Sequence, residues 1–81
     1  MKKATFSKYA YSNPVKILRM GGVIELCGLS KSHIHSLISQ GKFPKGVLIV
    51  PGGVAKGWLE SEIVEWIEQR VSERDQEVAN A

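Results

Sequence analysis

Two histidines and four serines crowd the segment "LSKSHIHSLISQGKFP" (residues 29–44), and these residue types suit three kinds of chemistry. The first is metal ligation. His33 and His35 stand two apart, so on a helix their rings diverge by about 160°, whereas helical ligand pairs are usually four apart. Cys27 is the only cysteine and falls within an apolar stripe, so no metal site is expected. The second is nucleophilic catalysis, in which a Ser–His pair needs an orienting carboxylate. Glu25 is the one remote candidate, because the remaining acids cluster towards the C-terminus at surface spacings. No glycine-rich phosphate loop is followed by the lysine it requires. A chain of 81 residues is also short for walling off a deep pocket. We expect no enzyme, no catalytic residue and no cofactor. The third is a polar helix face against which something docks, and the elements that position that face decide in its favour.

Those elements are legible from spacing. "KILRM" (16–20) reads as one short edge strand. In "GGVIELCGLS" (21–30), Val23, Leu26 and Cys27 recur at i, i+3 and i+4, one face of a two-turn helix. Gly28 follows as a helix stop that tolerates the left-handed conformation, and Ser30 as a preferred N-cap. A second helix then runs from Lys31 to about Gln40, with Ile34, Leu37 and Ile38 as its apolar stripe and Gly41 as its stop. Two helices joined through Gly28–Leu29–Ser30 have the spacing of a helix-turn-helix. Beyond them, Val47–Val50 and Val54–Trp58 flank Pro51–Gly52–Gly53, a hairpin whose Pro-Gly suits a type II turn. "LESEIVEWIEQRV" is an amphipathic helix with Ile63, Trp66, Ile67 and Val71 on one stripe and an acidic first turn. "SERDQEVANA" is expected to fray.

Helix, turn, helix, hairpin, helix is the order of a small winged helix-turn-helix. The fold class is therefore α+β, mostly helical, with a two-stranded β-hairpin wing and a C-terminal amphipathic helix. Residues 1–15 read as a flexible basic arm, 16–72 as the winged domain and 73–81 as a frayed tail. Trp58 and Trp66 read as core anchors, which a domain this small needs. In the arm, Phe6, Tyr9 and Tyr11 interleave with Lys3 and Lys8, a pattern suited equally to DNA backbone and to protein.

Charge is divided unevenly. Residues 1–45 carry eight basic side chains against one acid, a net +7, whereas residues 46–81 carry three against seven, a net −4. Such asymmetry points towards a polyanion facing the first half. No apolar run approaches the roughly 18 residues of a membrane span, and no signal-peptide core follows the basic N-terminus. A cytoplasmic protein with no membrane partner is expected.

On a wheel of about 100° per residue, Ser32, Ser36 and Ser39 lie nearly opposite the Ile34–Leu37–Ile38 stripe. His33 and Gln40 take one flank and His35 the other. This face holds no acid and no bulky aliphatic residue. Short hydroxyls let a helix approach a groove closely, and serine, histidine and glutamine can all bond base edges or phosphates.

The stretch "ILRMGGVIELCGLSKSHIHSLISQGKFPK", followed by "GWLESEIVEWIEQR", resembles the AlpA family of prophage-associated DNA-binding regulators. That family is related to excisionases and to MerR-like winged helix domains. The resemblance covers roughly residues 17–72. It implies a transcriptional regulator of a prophage or genomic island that acts on an integrase-type gene, or alternatively an excisionase that bends DNA. It maps the recognition helix onto Lys31–Gln40 and the wing onto about Lys45–Lys56. Two positions depart from the family pattern. Lys56 stands where an arginine is common in the second wing strand, and His35 occupies a position that is often aromatic.

The expected activity is sequence-preferring binding of double-stranded DNA. Lys31, Ser32, His33, His35, Ser36 and Ser39 would face the major groove, and Arg19, Lys45 and Lys56 the phosphate backbone. The acidic C-terminal helix is left to face polymerase, integrase or another copy of the chain. A reading of another class, an adaptor that binds an integrase or an anionic partner through the polar helix face, predicts no salt-sensitive DNA binding.

Overall fold

Strand β1 (Ile17–Leu18) opens the part of the chain that the structure, a computed structural model, describes: residues 16–80. The expected basic arm, residues 1–15, lies outside the described residues. After β1 come α1 (Met20–Cys27), α2 (Lys31–Ser39), β2 (Val47–Leu48), β3 (Lys56–Leu59) and α3 (Glu60–Asn80). This is a small, mostly helical α+β fold with a long C-terminal helix.

The turn between α1 and α2 forms as its residues predict. Gly28 adopts φ 78° and its N–H donates to the Ile24 carbonyl, ending α1. A side chain there would be strained, so glycine is the natural choice. Two residues on, the Ser30 hydroxyl accepts from the His33 N–H at 3.2 Å and caps α2. At the far end of α2, Gly41 N–H donates to Ile38 O and Lys42 N–H to Leu37 O. That pair of bonds is the Schellman closure of a helix.

The hairpin also forms, but with shorter strands than the apolar runs suggest. Gly53 N–H donates to the Val50 carbonyl at 2.9 Å and Gly52 has φ 79°, the signature of a type II turn over Pro51–Gly52. Regular pairing covers only Val47 opposite Gly57 and Leu48 opposite Lys56. The expected edge strand adds a third member: Ile17 pairs with Leu59 and Leu18 with Trp58, antiparallel. The sheet order is β1-β3-β2, so β3 is central.

Five apolar residues from five segments form the centre of the core: Val23 from α1, Ile34 from α2, Phe43 from the loop after it, Trp58 from β3 and Ile63 from α3. Trp58 is only 4% exposed and its indole N–H donates to the Pro44 carbonyl, so its one polar atom is satisfied. Trp66 is half-buried, packs edge-on to Phe43 and donates its N–H to the Lys42 carbonyl.

Two expectations need correction. Leu26 does not join the α1 stripe; it is exposed, and Met20, Val23, Ile24 and Cys27 face the core instead. Helix α1 is packed from several sides, by β1, β3 and α3, which turns the buried arc one residue away from Leu26. The C-terminal helix also continues through Asn80 rather than giving way after Val71. Its extension is rich in Glu, Arg and Gln, good helix formers, and Arg70 pairs with Glu73 one turn on.

Candidate nucleic-acid interface

Helix α2 is the shortest route from sequence to a docking surface. Burying Ile34 and half-burying Leu37 and Ile38 forces Lys31, Ser32, His33, His35, Ser36 and Ser39 to the outside, where all six are exposed. Two of the serines are tied within the helix. Ser36 Oγ accepts from Gln40 Nε2 at 3.0 Å, and Ser39 Oγ donates to the Ser36 carbonyl at 2.8 Å. No side-chain hydrogen bond or ion pair engages Lys31, Ser32, His33 or His35 among the described residues. The first turn of α2 holds no acid, so the positive end of its dipole is left unopposed next to Lys31.

Between α2 and the hairpin runs a groove of about 400 Å³. Arg19, Lys31, His35, Lys45 and Lys56 line it, together with Val54 and Trp58, and no carboxylate does. Three separate segments supply the cations: the lead-in to α1, the start of α2 and the two arms of the hairpin. Arg19 is braced in place, because its Nε donates to the Lys56 carbonyl at 3.0 Å. That bond spends one donor and leaves the rest of the guanidinium fork for a ligand.

Five of the nine residues expected at the interface thus line one groove. The other four, Ser32, His33, Ser36 and Ser39, are on the exposed face of the same helix but do not line it. Val54 is the addition that residue chemistry did not single out. It is 92% exposed at the groove's edge, and its one advance sign is its position directly after the Gly52–Gly53 turn.

The acids lie outside this groove. Seven lie on α3, from Glu60 to Glu77, and Glu25 on α1. A second depression, of about 700 Å³, separates α3 from the loop after α2. There Glu62 and Glu65 stand among Lys42, Lys45 and Arg70, a mixture of signs unlike the acid-free lining of the first groove. Arg70 lies over the Trp66 ring at 5.2 Å. Among the described residues no group of three or more histidines, cysteines or acids is placed to hold a metal ion. Nor is any helix there long and apolar enough to cross a membrane.

A helix-turn-helix, a hairpin beside it and a cationic groove between them agree with one more observation. The family model of the prophage CP4-57 regulatory protein (AlpA) matches residues 16–71, from the first strand into the long helix. The chain belongs to the AlpA family. Two curated relatives are similar to it, and the second carries the family's name. This chain is 42% identical over 59 residues to the uncharacterised protein ORF88 of Enterobacteria phage P4. That match takes in 73% of this chain and 65% of the phage protein, just under two thirds of its length. It is 34% identical over 62 residues to the DNA-binding transcriptional activator AlpA of Escherichia coli (strain K12), with 69% of this chain and 86% of the relative covered. No solved structure gives a significant match.

Proposed function

We propose that this AlpA-family regulator binds double-stranded DNA with sequence preference and controls transcription within a prophage or genomic island. Residues 16–72 act as the DNA-binding domain. The N-terminal half of α2 enters the major groove, where Lys31, Ser32, His33, His35 and Ser36 meet base edges and phosphates, with Ser39 at the rim. Arg19, Lys45 and Lys56 neutralise backbone phosphates on either side. The observation that carries this reading is the convergence of five basic or imidazole side chains on one acid-free groove beside a small, polar helix face. The printed name of the E. coli relative supports transcriptional control as the outcome.

Four cations on phosphates would give a fall of log affinity with log salt of slope about −4. Fluorescence anisotropy with genomic fragments across a salt series measures it. Lys45→Ala and Lys56→Ala should each flatten the slope by about 1 and weaken all sequences alike. A slope near zero, or salt-insensitive capture of an integrase in its place, would overturn the reading.

A further inference from the structure

The wing carries a feature that phosphate binding does not use. Ten consecutive residues, 46–55, hold no charge, although Lys45 and Lys56 bracket them. Within them Val47, Leu48, Ile49 and Val50 are exposed, Leu48 and Val50 by more than half. Strand β2 is also the outer strand of the sheet. Ile49 N–H donates inward to the Ala55 carbonyl, and backbone direction alternates along an antiparallel pair. Leu48, opposite Lys56, therefore turns its own N–H and C=O away from β3.

Sheets usually guard such an edge with charge, proline or a bulge. The opposite edge is guarded in this way, since Lys16 and Arg19 flank β1 directly. The β2 edge has no guard at Val47 or Leu48.

We infer that β2 is a self-association edge, with Leu48 of one copy set antiparallel against Leu48 of a second copy to make a continuous six-stranded sheet. A strand edge is complementary to itself under a two-fold axis. The neutral stretch brings no like charges together, even though the half of the chain before it is strongly basic. A phosphate backbone, by contrast, would find no cation along it. The two-fold axis stands perpendicular to the sheet, so both copies keep the same sheet face on the same side. Lys56 and Trp58, two apart on β3, put the cationic groove on one face of the sheet, so the two grooves lie on the same side, as two half-sites on one duplex require.

A directly opposed, hydrogen-bonded pair has Cα atoms about 5.5 Å apart, within disulfide range. In a Cys27→Ser background, Leu48→Cys should form an intermolecular disulfide on the order of tenfold faster than Val54→Cys, which is more exposed but off the edge. Leu48→Pro removes only an outward N–H, so it should keep its circular dichroism and thermal melt while losing the dimer seen by sedimentation at millimolar concentration. Equal cross-linking rates overturn the inference, as does a wild-type chain that sediments as a monomer at that concentration. So does a Leu48→Pro chain that self-associates as before yet binds a single-site duplex more weakly, which would make the strip a DNA contact. DNA binding by a monomer would leave the proposed function standing and remove this inference alone.

Discussion

Helices α2 and α3 bury their inner faces by the same rule and differ in everything they turn outward. Each sinks an isoleucine completely, Ile34 in one and Ile63 in the other. Outside, α2 shows lysine, serines and histidines with no acid in nine residues, whereas α3 begins on Glu60 and Glu62 and continues acidic. Packing explains the inner residues and places no demand on the outer ones. The outer faces are therefore free to differ, and under the proposed function that of α2 is the one that meets a polyanion.

The largest effect should come from breaking what the two helices share. Ile34→Ala and Ile63→Ala each open a cavity worth about 2–5 kcal/mol, comparable with the whole stability of a small domain. Urea titration should find both variants largely unfolded, and an Ile34→Ala protein that melts like the wild type would refute the core assignment.

A sharper test separates the outer faces. Ser32→Glu puts an acid in the first turn of α2, where the dipole favours it by about 0.3–1 kcal/mol, yet it opposes phosphates. We expect the melting temperature to hold or rise while DNA affinity falls by roughly tenfold, about 1.4 kcal/mol. Glu68→Gln on α3 should leave affinity unchanged. Equal responses from the two variants would erase the distinction between the helices.

Smaller effects follow from the ends and the surface. Ser30→Ala removes the α2 cap and should cost about 1 kcal/mol in chemical denaturation. Glu73→Gln breaks the 2.6 Å pair with Arg70, which is exposed on both sides. It should change stability by no more than about 0.5 kcal/mol, and a larger loss would mean that the end of α3 is held by more than its own turns.

Much of this arrangement was readable in the chain because it is local. Gly28 and Ser30 carry the turn between the helices, and Pro51–Gly52 carries the hairpin turn. In each case the hydrogen bonds that close the turn join residues no more than four apart. The apolar stripe of α2 was equally plain, since one helical period repeats within it. The α1 stripe was not. Leu26 and Ile24 fit the period equally well, and only the strands and helix packed around α1 choose between them. Nor did the apolar runs 47–50 and 54–58 reveal how little of them would pair, or that β1 would close on β3.

The amino-acid order alone thus determined which segments coil, where α1 and α2 stop and which residues of α2 face outward, because each of these depends on neighbours a few positions away. It also determined that the first half of the chain is basic and the second acidic. Only the tertiary structure decided that Arg19, Lys31, His35, Lys45 and Lys56 would share one groove, and that the edge of β1 would be guarded and that of β2 left open. Those outcomes rest on pairings such as Ile17 with Leu59, between residues far apart in the chain. Their register is set by how side chains fill the core between them, and no local pattern encodes it.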